Sequence, residues 1–172
     1  MKNSIDIIAQ VIGIVAMVFI IAAFQFKKNK HLILAQGIGG LLFSINYFLV
    51  GSLPSAGFNV VSVLSSGLTI TQKKHRHFWF GLICFGYLVI TVLTYESLWT
   101  IILSLAQLAI NYAFWYQDGK VIRKIRIFFT SPVWLINNIF VAFTIGGIIC
   151  EIFSIVSAIV SFIRYRKSGF EA

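Results

Sequence analysis

Six side chains in the sequence have the chemistry to hold a polar solute: Asn46, Asn59, Gln107, Trp134, Asn137 and Glu151. An amide presents both a donor and an acceptor, a carboxylate accepts or carries a proton, and an indole offers a flat face for stacking. All six stand in apolar runs, as in LLFSINYFLVG (41–51) and LINNIFVAF (135–143). In hydrocarbon an unpartnered amide costs several kcal/mol, so each must face another helix or water. That leaves two readings. Either the amides bind a solute, or they clamp helices together at about 1 kcal/mol each.

Asn46 and Asn137 stand at equivalent places in two similar segments, and a repeat-built transporter puts its binding site between such positions. At about 1.5 Å per residue, Asn46 and Asn59 lie a turn or less below the expected outer boundary, and Asn137 and Glu151 between one and two turns. Gln107 falls near the midplane, with Gln36 and Asn111 deeper toward the cytoplasm. Glu151 is the only acid clearly within a span, which makes it a candidate for proton coupling; its closeness to the outer turn leaves contact with outer water as the other reading. Trp134 is the best aromatic for stacking on a ring, with core filling as its alternative. Pro132 beside it leaves a backbone carbonyl without a donor and can kink the helix.

The elements that carry these residues follow from composition. The chain is 59% hydrophobic and only 11% charged, with 17 Phe among 172 residues, a balance that suits a bilayer and no aqueous surface. At about 20 residues per span, the apolar runs give spans at 5–26, 32–50, 57–72, 78–95, 98–116, 127–143 and 147–163. The first lacks a basic leader and ends in KKNK, so it is expected to be a retained helix rather than a signal peptide. The expected fold is an all-α integral membrane protein of one domain, 1–172.

The connectors alternate between basic (KKNKH, KKHRH, QDGKVIRKIR and the tail) and non-basic (GSLPSA, YES, TIGG). The basic set holds thirteen of the fourteen Lys and Arg, with Lys2 alone on the other side. The positive-inside rule then places the N-terminus outside and the C-terminus in the cytoplasm. It also accounts for the net charge of +9 without nucleic acid. An odd helix count allows a parallel 3+1+3 arrangement: a first repeat over 5–72, a linker helix at 78–95 and a second repeat over 98–163. At an offset of 91, Ile45, Asn46, Val50 and Ser66 coincide with Ile136, Asn137, Val141 and Ser157, and Phe43 faces Trp134.

Nothing in the sequence points to an enzyme, a metal or a cofactor. His75 and His77 sit among Lys and Arg with no acid or Cys beside them, and no acid–base pair shares a span. Cys84 and Cys150 read as plain buried thiols. QGIGG lies inside a span, where Ala35–Gly39, Gly40–Ser44 and Ser62–Ser66 serve close helix packing rather than phosphate binding. Trp79, Trp99 and Trp115 lie near span ends and read as interfacial anchors.

FQFKKNKHLILAQ followed by GLLFSINYFLVGSLPSAGFNVVSVLSS resembles the YgjV-like family of small bacterial inner-membrane proteins, best over the first three helices. The resemblance implies a multi-pass protein of the inner membrane. The family's wider kin resemble the SWEET sugar carriers and PnuC vitamin transporters, which share the 3+1+3 plan. By that resemblance Asn46 takes the second-helix role in a substrate pocket, Asn59 the third-helix role, and Trp134 with Asn137 the sixth. The seventh helix departs, with Cys150 and Glu151 where the carriers have Asn, and Gln25 lacks the proline that precedes it in the SWEET first helix. The leading expectation is facilitative transport of a small polar solute across the lipid bilayer, by a chain that is compatible with a homo-oligomer. The competing one is a non-transporting scaffold or assembly partner whose buried amides only pack helices.

Overall fold

A computed structural model describes residues 2–71 and 74–168, with side chains over 7–71 and 74–165. Asp6, Lys73 and the tail side chains from 166 on lie outside the described side chains. The described residues form α1 (Lys2–Ala23), α2 (Asn29–Leu49), α3 (Leu53–Thr71), α4 (Arg76–Leu93), α5 (Leu98–Tyr116), α6 (Gly119–Ile125), α7 (Ser131–Phe140) and α8 (Ile145–Ser168). A π-helical turn, Arg126–Thr130, joins α6 to α7 without a break, so these eight segments make seven rods. Five of the helices are long and apolar enough to cross a membrane, and Ile7–Ala23 is a shorter apolar helix.

Six rods close into a ring. Going round it, α1 packs on α2, α2 on α3, α3 on α5, α5 on the α6–α7 rod, α7 on α8, and α8 back on α1. The remaining helix, α4, lies outside against α3 and α5, and buries only Ile83 and Tyr87 among its side chains. Large apolar side chains such as Phe48, Phe85, Leu88 and Val92 point outward, as lipid contact requires.

Small residues set how closely the rods approach. A Cβ on Gly39 would stand 2.6 Å from Ile20 Cδ1 and 3.2 Å from the Ala16 carbonyl oxygen, so α1 and α2 touch almost backbone to backbone. At the other seam of α1, a Cβ on Gly146 would lie 3.1 Å from the Gly13 carbonyl carbon. Between α2 and α3 the chain reverses through Gly51, whose φ of 84° is left-handed backbone that glycine adopts without strain.

The sequence places a loop over 117–126; the structure corrects it. Asp118 caps a helix there, its Oδ1 accepting from the backbone N–H groups of Lys120 (2.8 Å) and Val121 (3.1 Å). The helix then runs unbroken from Gly119 to Phe140. Two arginines assigned to a cytoplasmic knot are thereby carried into the bundle: Arg123 is fully buried and Arg126 nearly so. A second correction concerns Trp115. It is buried, not interfacial, and its Nε1 donates to Ser65 Oγ at 3.3 Å.

Gly146→Val should force α8 away from α1 and lower stability by about 1–3 kcal/mol, as overpacking does elsewhere; thermal unfolding in detergent micelles measures it. Unchanged unfolding would mean that this seam is not close-packed.

Candidate functional site

A small, partly open central cavity lies within the ring, with about 40 Å³ of room for the centres of water molecules. Every rod of the ring reaches it, and α4 does not. Its polar lining is Gln36 from α2, Asn59 and Ser62 from α3, Gln107 from α5, Arg126 from the π turn and Glu151 from α8. Phe43, Tyr47 and Trp134 form an aromatic wall, with ring centroids 5.7 Å apart for Phe43–Tyr47 and 5.5 Å for Tyr47–Trp134.

The π turn explains how one helix supplies both Arg126 and Trp134. Pro132 has no N–H, and its ring crowds the carbonyl four residues back, at Phe128. The strain is taken up by a wider turn, in which the Ser131 N–H bonds the Arg126 carbonyl five residues earlier. In an uninterrupted α-helix, residues eight apart point roughly 80° away from each other. The wider turn slows the rotation and brings both side chains round to the cavity.

Arg126 Nη2 lies 3.5 Å from Glu151 Oε1, the two side chains 10% and 7% exposed. The contact is single and long, where an arginine can make a two-pronged bond to a carboxylate of about 2.8 Å. Arg126 Nε, Glu151 Oε2 and Gln36 Nε2 are buried without a hydrogen-bond partner. Asn59 Nδ2 is occupied, donating to the Ser55 carbonyl at 2.8 Å.

The six residues singled out from sequence divide. Asn59, Gln107, Trp134 and Glu151 line the cavity; Asn46 and Asn137 do not. Asn46 Nδ2 donates to the Ala9 carbonyl at 2.7 Å, beside Gly13, and ties α2 to α1. Asn137 Nδ2 donates to Ser55 Oγ at 3.1 Å and its Oδ1 accepts from Trp99 Nε1 at 3.3 Å, tying α7 to α3 and α5. The neighbouring Asn138 accepts from Tyr47 (2.7 Å) and Thr144 (2.9 Å). Asn111 accepts from Ser65.

Beyond Arg126 at the opposite end, a second set of bonds closes the ring. Arg123 Nε donates to Ser161 Oγ (2.9 Å), Nη1 to the Gly119 carbonyl (3.0 Å) and Nη2 to the carbonyls of Phe24 (3.3 Å) and Phe26 (3.1 Å). The last turn of α1 leaves carbonyls without helical donors, and the guanidinium supplies them. Asn29 Nδ2 donates to the Gln117 carbonyl at 2.6 Å, and Gln117 Nε2 to the Thr69 carbonyl at 3.1 Å, which links the start of α2, the end of α5 and α3. Gln25 Nε2 donates to Ser157 Oγ at 2.7 Å on α8.

Sequence reasoning missed Arg123 and Arg126 because basic residues between apolar runs normally mark topology. The signal that could have found them is Asp118 as a helix cap, followed by 123, 126, 130, 134 and 137 at helical spacing.

The sequence pattern of Imp-YgjV, described as a bacterial inner membrane protein, matches residues 7–169. The chain belongs to that family. No curated protein and no solved structure matches it. As an Imp-YgjV protein it resides in the bacterial inner membrane, which agrees with its apolar outer surface and its spanning helices. In that medium the cavity and the two bonded ends are places where polar side chains from several rods converge.

Arg123→Met should remove the shared donor at the α1, α6 and α8 contacts and destabilise the protein by about 3 kcal/mol or more, given the worth of hydrogen bonds to a charged group. Asn46→Leu and Asn137→Leu should each lose only about 1 kcal/mol. Thermal unfolding of the three variants side by side gives the ranking; equal losses would contradict the different roles assigned to them.

Proposed function

We propose that this Imp-YgjV protein is a carrier that moves a small polar solute across the inner membrane through the cavity within its helix ring. The observation that carries the reading is the cavity's unfilled hydrogen-bonding capacity: Gln36, Arg126 and Glu151, on three different rods, each keep a buried polar atom without a partner. A polar group left bare in a low-dielectric interior costs free energy, whereas one that faces a passing solute or water is satisfied when the site is filled. Single amide atoms without a partner also occur at Asn29, Asn46, Asn111 and Asn138, but these stand apart from the cavity, whereas the three in its lining converge on one space.

Substrate contacts are assigned to Asn59, Gln107, Trp134 and Glu151, joined by Gln36 and Arg126. Asn46 and Asn137 act by holding the ring. The position of α4 outside the ring supports the 3+1+3 plan that the SWEET and PnuC carriers share. With Arg123 and Arg126 buried, the Lys and Arg that remain in the basic connectors still outnumber Lys2, which supports an outer N-terminus and a cytoplasmic C-terminus. Separate sets of bonds beyond the two ends of the cavity would let one end open while the other holds, as alternating access requires.

The scaffold reading keeps one observation in its favour, the bare face of α4. Counterflow in proteoliposomes separates the two. Native protein should exchange a labelled solute, Gln107→Leu should cut the rate about tenfold, as loss of a buried hydrogen bond implies, and Asn137→Leu should exchange normally at a temperature where it is folded. A folded native protein that exchanges none of the amino acids, sugars, nucleosides and vitamins tested would remove the carrier reading.

Orientation has its own test, made in a chain whose native cysteines are replaced by serine. A cysteine at Phe143, an exposed position beside the α7–α8 turn, should react with a membrane-impermeant reagent in intact cells, and one at the exposed Lys30 should not. Labelling at Lys30 alone would invert the assignment.

A further inference from the structure

Resting on the carrier reading, we infer that the solute is a small zwitterion of amino-acid type, held with its carboxylate on Arg126 and its ammonium on Glu151. Three features of the cavity point to this class.

The first is charge. Among the described residues that line the cavity, Arg126 and Glu151 are the only charged side chains, and their charges cancel. A solute with net charge would bring an uncompensated ion into a low-dielectric interior, which is strongly unfavourable. A net-neutral solute avoids this.

The second is the geometry of the pair. Its two ions meet through one contact of 3.5 Å, and each keeps one buried atom without a direct hydrogen bond, a donor at Arg126 Nε and an acceptor at Glu151 Oε2, with the Ser131 hydroxyl a further protein donor near the carboxylate. One charge-assisted donor and one charge-assisted acceptor, side by side, are the complement of a carboxylate and an ammonium joined by a short linker. Gln36 Nε2 is a second unpartnered donor in the same lining and suits the second oxygen of a carboxylate. A sugar or polyol offers only neutral hydroxyls to both ions, and so forgoes the stronger bonds that the site is equipped to make.

The third is size. The room left for the centres of water molecules is only about 40 Å³, which suits a small solute better than a nucleoside or a disaccharide.

The test uses the purified full chain in detergent, scored by thermal shift, with four probes of similar size: alanine, propionate, propylamine and glycerol. Alanine should stabilise the native protein at a concentration about tenfold or more below that needed for the other three, as the loss of one charge-assisted bond implies. Glu151→Gln leaves the cavity with a net positive charge and should transfer the preference to propionate. Arg126→Gln leaves it negative and should transfer the preference to propylamine. A merely structural ion pair would lower stability in both variants without exchanging the ranking of the probes.

If a glutamine variant does not fold, Glu151→Asp and Arg126→Lys keep the charges and should keep the preference for alanine with weaker binding. Equal responses to alanine and glycerol, or an alanine response undiminished in Glu151→Gln, would overturn the proposal. Stabilisation by glycerol or sugars that is lost in Gln107→Leu would likewise overturn it while leaving the carrier reading in place. Alanine binding with the predicted charge dependence, but without counterflow in proteoliposomes, would support the site and overturn the carrier. A folded protein that responds to none of the probes and exchanges no solute would overturn both.

Discussion

The closure of the ring depends on one constraint: a polar group buried in hydrocarbon must be satisfied by another part of the protein, because no solvent will do it. Arg123 shows it at full strength. Its guanidinium, completely shielded, supplies donors to carbonyls at the end of α1, to the first turn of α6 and to a serine on α8. Three rods are thus fixed to one planar group whose donors diverge in a set geometry. Lysine, a point charge with three donors at the end of a flexible stem, would not reproduce that arrangement.

The same constraint is put to two uses in this molecule. At Asn46, Asn137 and Asn138 the amides are spent on helix contacts, and the rods they join are held in register. In the cavity the constraint is left partly unmet, with Gln36, Arg126 and Glu151 each short of a partner. On the proposed carrier reading such incompleteness is useful, since a site that accepts and releases a solute then has no competing protein partner to break away from.

Pro132 links the local chain to the site. Its missing N–H and its crowded ring force the wide turn at Arg126–Thr130. That turn aligns Arg126 with Trp134 on one face of a helix that would otherwise spread them apart. Without the turn the cavity would have an aromatic wall and an acid on α8, and no cation facing it.

Much of the architecture was legible in the sequence. The apolar run lengths located seven rods to within a few residues except at the sixth, and the small residues at Gly39 and Gly40 announced close helix packing. The buried amides pointed to the bundle interior because hydrocarbon leaves them no other place. What the sequence could not separate was an amide that lines a cavity from one that clamps a helix. Asn46 and Asn59 look alike in one dimension, and only the angular position of each rod around the ring decides which neighbour a side chain meets. The arginines were harder still: Arg123 and Arg126 belong to a basic cluster whose plain reading is topology, and it took the capped helix from Gly119 and the wide turn ahead of Pro132 to bring them inside. Composition and run length determined that this chain crosses a membrane as a helical bundle, because transfer into hydrocarbon is a sum over residues. The pairing of Arg126 with Glu151 was decided by tertiary structure alone, because it requires two rods to be set at one depth and one angle, and no local signal carries that information.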